Sequence, residues 1–228
     1  MSHLINIFLE PAKVFAELKE KPSFLLPLLL VALLGAVSTT TYFLTVDPDW
    51  FSDNQVAQLQ AQGDMSAAEI EQAKKFMPGA RASAYFSGPM VLIFLGIVSS
   101  VMALYYLLAG KVTGNAVGFR RGLSLAAWSS MPMVLGNLVV LGAIFTSSNQ
   151  VSFESLQLLN VDPLFVQLPL DHDWLLLARS FSLLNFWVWF LAALGWKTWF
   201  RTGWGQAVTV AVLPSLVIYG VMALFAAL

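Results

Sequence analysis

The chain contains no cysteine and few charged residues: lysine, arginine, aspartate and glutamate make up 11% of its 228 residues. Without cysteine, disulfide frameworks, thiolate metal sites and cysteine nucleophiles are excluded. Soluble domains carry roughly 25% charged residues. Because 58% of this chain is hydrophobic, its composition predicts an integral membrane protein.

An excess of positive charge is also lacking. The formal net charge is -1, and nucleic-acid binding requires clustered lysine and arginine that release counterions from phosphates. We therefore expect no nucleic-acid partner.

Recognisable catalytic and metal-binding patterns are missing as well. The only histidines, His3 and His172, lie outside the apolar stretches, and neither H-E-x-x-H nor G-x-S-x-G occurs. Residues 171–173 (Asp-His-Asp), with Asp162 nearby, could offer ligands to a divalent cation, but a solvated acidic cap is the favoured interpretation. We predict no catalytic residue, no cofactor and no metal site.

Long apolar stretches are what the chain has in abundance. A helix needs roughly 20 mostly apolar residues to cross the hydrocarbon core. Such stretches predict an all-α, polytopic membrane protein, a single domain over residues 1–228 with five spans at about 22–46, 82–110, 122–146, 174–199 and 205–227. The fourth span is marginal, because the charged residues Arg179 and Lys197 interrupt it near both ends, and a re-entrant helix is the alternative.

Positive residues are distributed unevenly among the segments that join these spans. With a cytoplasmic N-terminus, eight lysines and arginines lie inside and four outside, so the positive-inside rule places the N-terminus in the cytoplasm and the C-terminus outside. Tryptophans near the predicted span ends are typical of interfacial aromatic belts; they are Trp50, Trp174, Trp196, Trp199 and Trp204.

Residues 1–21 form an amphipathic cytoplasmic segment with a helix predicted from Pro11 to about Glu20, because proline is tolerated in the first turn of a helix. A break is expected near Glu10 and a stop at Pro22. Two locations are open for the apolar face: the membrane interface or the cytoplasmic ends of the bundle.

Two external loops are predicted, at 47–81 and 147–173. The first is long enough to contain a short helical hairpin: Ser66 and Glu69 have the spacing of a capping box, with Met65 and Ile70 as a hydrophobic staple, and Gly63 ends a preceding helix. The hairpin is either a lid or contact surface, or a polar connector with local helix.

The stretch "TGNAVGFRRGLSLAAWSSMP", residues 113–132, contains glycines and adjacent arginines. It lacks the G-x-x-x-x-G-K-[ST] pattern of a Walker A loop, so a cytoplasmic turn between two spans is the favoured interpretation. The alternative is a site where Lys111, Arg120 and Arg121 hold a lipid headgroup or an anionic partner.

Asn137 and Asn185 are the asparagines of the predicted spans. An asparagine in lipid must find a polar partner, which favours helix packing contacts. A polar path through the membrane is the alternative, and it would suit a small channel or transporter.

Three stretches have a family-like pattern: "LEPAKVFAELKEKPSFLLPLLL", the second turn with Gly114, Phe119, Trp128 and Pro132, and "DWLLLARSFSLLNFWVWFLAALGWKTW". They resemble the bacterial branch of the Yip family, the Ypt/Rab-interacting-protein-like membrane proteins. Trp128 replaces the tyrosine usual in the family. The Asp-Leu-Tyr-Gly-Pro motif of eukaryotic members is absent. Only its final Gly-Pro is matched, within Ser-Gly-Pro at residues 87–89, so the resemblance does not extend to Rab binding.

The resemblance implies a five-span, non-enzymatic organiser of the bacterial inner membrane. We expect an adaptor or scaffold whose partners are membrane lipids and a membrane or peripheral protein. A small channel or transporter for ions, small solutes or lipid is the alternative, and a membrane-embedded enzyme ranks last.

Overall fold

The computed structural model describes residues 2–61, 63 and 66–228. These residues form helices and connecting turns with no β-strand among them, which confirms the all-helical prediction. The helices in chain order are α1 (Ser2–Leu9), α2 (Pro11–Glu20), α3 (Leu25–Thr45), α4 (Pro48–Ala61), α5 (Ala67–Lys74), α6 (Ala80–Val112), α7 (Phe119–Ser129), α8 (Met133–Thr146), α9 (Val161–Leu164), α10 (Leu175–Ser180), α11 (Leu184–Phe200) and α12 (Trp204–Ala226).

Two compact units can be separated. The first consists of Met1–Leu34, Leu92–Leu135 and Leu184–Gly220, and the second of Gly35–Val91, Gly136–Leu183 and Val221–Leu228.

Within the described residues, α3, α6 and α12 are each long and apolar enough to cross a membrane. A fourth crossing results if α7 and α8, which meet at an angle of 41°, act as one broken span. The bend lies at Pro132, which has no N–H to continue a helical ladder; a turn with a 2.9 Å hydrogen bond from the Met133 N–H to the Ser130 carbonyl separates the two helices.

The segment predicted as one continuous span over 174–199 is instead two helices, α10 and the 17-residue α11. The residues between them pair with an earlier loop: the Val161 N–H donates to the Phe181 carbonyl at 2.9 Å, and the Leu183 N–H donates to the Leu159 carbonyl at 2.9 Å. These hydrogen bonds take the backbone groups that a continuous helix would use, so the helix stops at Ser180.

The first unit has a core of large side chains from α1, α2, α7 and α11. Helix α2 begins at Pro11 and ends at Glu20, as predicted, and buries Val14, Phe15 and Leu18. This apolar face therefore packs on protein, which favours the second of the two locations considered for it. Trp196 and Trp199 lie in the same core and pack on protein.

The second unit contains the hairpin of α4 and α5. Ser66 and Glu69 form the predicted capping box, while the staple residue Met65 lies outside the described residues. Helix α4 begins after Asp47, whose carboxylate accepts the Trp50 N–H at 2.9 Å. A small cluster of buried residues completes the unit: Tyr42, Val46, Ala80, Val140, Ala143 and Leu156.

Candidate functional site

The turn that joins α6 to α7 folds back tightly on the end of α6. The Asn115 N–H donates to the Gly110 carbonyl at 2.7 Å, and a Cβ on Gly110 would lie 2.6 Å from the Asn115 carbonyl oxygen. Gly114 has a φ of 72°, a left-handed conformation that glycine adopts without a steric penalty. Gly110 and Gly114 therefore permit a close turn at this point.

Helix α7 begins immediately after this turn. Gly118 precedes it and supplies no side-chain cap, and no acidic residue occurs in its first turn. The first N–H groups of a helix have no partner within the helix and carry a partial positive charge. Arg120 and Arg121 add two full charges at the same end, so this terminus is electropositive.

A pocket of about 570 Å³ lies at this terminus. Its lining residues are Pro22, Lys111, Asn115, Ala116, Val117, Gly118, Arg120 and Arg121. The lining thus has three cations and no carboxylate, and within the described residues none of these cations forms an ion pair. Such a pocket is suited to an anion.

The segment between α2 and α3 forms one wall of the pocket and is held by side chains of α7. The Arg120 Nε–H donates to the Pro22 carbonyl at 3.2 Å. The Ser124 hydroxyl and the Trp128 indole N–H both donate to the Ser23 carbonyl, at 2.8 and 2.9 Å. These bonds hold the segment between α2 and α3 against α7.

The structure divides the site residues predicted from the sequence. Lys111, Arg120 and Arg121 line one pocket. Trp128 and Pro132, in contrast, are fully buried and serve the packing of the first unit. Phe119 is 42% exposed and does not line the pocket.

Sequence reasoning missed five of the eight lining residues, namely Pro22, Asn115, Ala116, Val117 and Gly118. Asn115 lies inside the quoted turn and could have been included. Pro22 is distant in sequence, and no local signal connects it to the turn.

Asn137 and Asn185 make helix packing contacts within different units. In the second unit, the Asn137 backbone carbonyl accepts the Ser38 hydroxyl at 3.2 Å, and a Cβ on Gly35 would lie 3.7 Å from the Asn137 side-chain oxygen. In the first unit, the Asn185 amide donates to the Tyr219 hydroxyl at 2.8 Å. The Asn185 side chain thus has a polar partner on another helix, and Asn137 lies where α8 packs closely on α3.

The two histidines have local contacts. The His3 Nε2 lies 2.6 Å from a Glu17 carboxylate oxygen, and the His172 Nδ1 accepts the Trp174 N–H at 3.2 Å. The Asp162 carboxylate lies 3.4 Å from the Arg179 Nε and does not form a cluster of metal ligands with residues 171–173. In the part of the chain that the structure describes, no group of three or more histidines and carboxylates could hold a metal ion.

Comparison with known proteins agrees with this architecture. The chain is 24% identical over 223 residues to a protein named Membrane protein YknW from Bacillus subtilis (strain 168), and the alignment covers 97% of this chain and 87% of that protein. No solved structure matches it. Residues 5–225 match the Yip1 domain. Together with helices that are long and apolar enough to cross a membrane, this match shows that the chain is an integral membrane protein of the Yip1 domain family.

Proposed function

We propose that this protein is a non-enzymatic membrane adaptor or scaffold, and that its basic pocket binds the phosphate headgroup of an acidic lipid. The observation that carries the proposal is the convergence of Lys111, Arg120 and Arg121 on one pocket without a carboxylate. Arginine binds phosphate oxygens through paired, charge-assisted hydrogen bonds. The N-terminal N–H groups of α7 add donors that a phosphate can use.

We further propose five crossings of a bacterial inner membrane, with the N-terminus in the cytoplasm and the C-terminus outside. Helix α11 has 17 residues, which correspond to about 25 Å at 1.5 Å per residue, so it would need Lys197 and flanking tryptophans to reach the interface. The pocket then lies at the cytoplasmic surface, where acidic lipids contribute about 1 kcal/mol for each nearby lysine or arginine.

Contacts of the polar groups support a scaffold over a catalyst or a channel. The Asn185 amide donates to the Tyr219 hydroxyl, the Asn137 backbone carbonyl accepts the Ser38 hydroxyl, and the His3 ring lies within hydrogen-bonding distance of Glu17. An adaptor needs only surfaces that recognise lipid or protein, and the pocket provides one.

The experiment is purification in native-lipid nanodiscs followed by mass spectrometry of the bound lipids. The test variant is Arg120→Gln with Arg121→Gln, and the control is Lys74→Gln with Lys75→Gln, which removes the same charge from the end of α5. We expect the wild type and the control to retain one class of acidic lipid above its bulk abundance, and the test variant to lose this enrichment.

If the wild type shows no enrichment of any acidic lipid, the proposed lipid binding is wrong. If a protein is lost from the test variant while lipid composition is unchanged, the pocket binds a protein partner and not a headgroup. Flux of ions or solutes through reconstituted vesicles would instead support the channel alternative.

A further inference from the structure

A second pocket lies within the second unit and has no residue in common with the first. Its volume is about 650 Å³, which is in the range of roughly 300–1,000 Å³ that small-molecule sites occupy. The residues that line it are Ser155, Leu158, Asp162, Pro163, Leu164, Gln167, Leu168 and Arg179. Nothing described above uses this pocket.

Asp162 and Arg179 form an ion pair in the lining of this pocket. Asp162 is 5% exposed, and both of its carboxylate oxygens have partners: one accepts the Leu168 N–H at 3.0 Å, and the other accepts the Arg179 Nε–H at 3.4 Å. The Arg179 backbone carbonyl accepts the Asn160 amide at 2.6 Å. Arg179 is therefore fixed at both its backbone and its guanidinium group.

The guanidinium group of Arg179 keeps N–H donors that Asp162 does not use. A guanidinium group has five N–H donors, and Asp162 uses the one on Nε. Among the described residues, the Nη atoms of Arg179 have no hydrogen-bond partner, and the side chain is 19% exposed against 8% for Asp162. Arg179 lines the pocket together with Asp162, so its remaining N–H groups can serve as donors to a ligand.

Part of the pocket lining is apolar. Leu158 and Leu164 are 45% and 44% exposed, and Pro163 lies beside them in the lining. Two parallel N–H donors match the two oxygens of a carboxylate, and an adjacent apolar wall matches a hydrocarbon group. We propose that this pocket binds the carboxylate of a small amphipathic molecule through Arg179, with Leu158 and Leu164 contacting its apolar body.

Two sources share this chemistry, a fatty acid and the C-terminus of a peptide. The experiment is calorimetric titration of the full-length protein in nanodiscs with octanoate and with N-acetyl-Leu-Leu, each compared with its neutral amide and with empty nanodiscs. We expect at least one carboxylate to bind and its amide to bind at least about tenfold more weakly, because the amide cannot form the charged pair. The tighter carboxylate identifies the source.

Two substitutions test the roles assigned to Arg179 and Leu164 in binding. Arg179→Lys keeps a cation beside Asp162 but removes the two parallel donors, so we expect about tenfold weaker binding. Leu164→Ser changes a half-exposed side chain and should weaken binding severalfold without affecting folding. Lys75→Gln is the control and should bind as the wild type does.

Three results would overturn the proposal. They are the absence of carboxylate binding to the wild type, equal binding of acid and amide, and tighter binding of inorganic phosphate than of either acid. If Arg179→Lys does not fold, the Leu164→Ser titration still tests the proposal. An unchanged affinity of that variant for the carboxylate would contradict the contact assigned to Leu164. Because the two pockets have no common residue, a failure here leaves the lipid-binding proposal to its own test.

Discussion

The indole N–H of Trp199 donates a hydrogen bond of 2.6 Å to the backbone carbonyl of Phe15, and the two rings pack edge to face with centroids 6.3 Å apart. Residues 184 positions apart in the sequence are thereby joined in one core. This contact explains why the apolar face of α2 is buried against α11 and is not left for lipid.

Trp199→Phe tests this contact. The substitution removes the donor and part of a buried ring, and we expect the free energy of unfolding to fall by about 1–3 kcal/mol. The measurement is unfolding by SDS titration in mixed micelles. Trp174→Phe, the same change at a side chain that is 41% exposed, should have little effect, and equal losses in both variants would contradict the assignment.

Gly122→Ala probes the close approach of α7 to α6. A Cβ at Gly122 would lie 2.7 Å from the Ala103 carbonyl oxygen and 3.1 Å from its Cα, so the two helix backbones must separate. We expect a loss of about 1–3 kcal/mol in unfolding free energy, as for other overpacked cores. Gly220→Ala, which has open space around its Cβ, is the matched control and should be neutral or stabilising.

Gly114→Ala tests the left-handed turn beside the basic pocket. Its φ of 72° is unfavourable for alanine by about 1–2 kcal/mol, and no neighbouring atom would contact the new Cβ. The stability loss should therefore come from the backbone alone. Gly118→Ala, where φ is -85°, should show no such loss, and a similar loss there would contradict this explanation.

The capping box of α5 predicts a pH dependence. The hydroxyl and the backbone N–H of Ser66 donate to the Glu69 carboxylate and hold its pKa below the ordinary value of 4.5. Because the folded pKa is lowered, the cap contributes its stability above pH 4.5 and loses it as pH falls through the folded pKa.

Carbon-13 NMR titration of the Glu69 carboxyl checks this effect. We expect a midpoint below 4.5 in the wild type and a midpoint shifted upward in Ser66→Ala, which removes the larger of the two causes. Ser52→Ala, a serine on α4 whose hydroxyl donates to the Pro48 carbonyl, should leave the midpoint unchanged. A wild-type midpoint at or above 4.5 would contradict the capping geometry.

Local features were predictable from the sequence because they depend on residues a few positions apart. The start of α2 at Pro11 and the capping box at Ser66 and Glu69 are of this kind. The division of residues 174–199 into two helices was predictable only in part: Arg179 and Lys197 made a full crossing marginal, but the hydrogen bonds that separate α10 from α11 come from residues 159 and 161.

The candidate site shows the same limit. The cations of the basic pocket were found from their charge and their place beside a turn. The contribution of Pro22 depends on a contact across 98 positions. The sequence associated Asp162 with residues 171–173 and Arg179 with a span end, and only the folded loop brings the two together as an ion pair.

Composition and the length of the apolar stretches by themselves determined that this chain is a helical membrane protein, because burying so much apolar surface in lipid requires helices that satisfy their own backbone. Tertiary structure alone decided which face of each helix meets protein and where helices break. Those outcomes depend on packing and hydrogen bonds between residues far apart in the chain, such as Trp199 with Phe15 and Leu183 with Leu159, which no local pattern encodes.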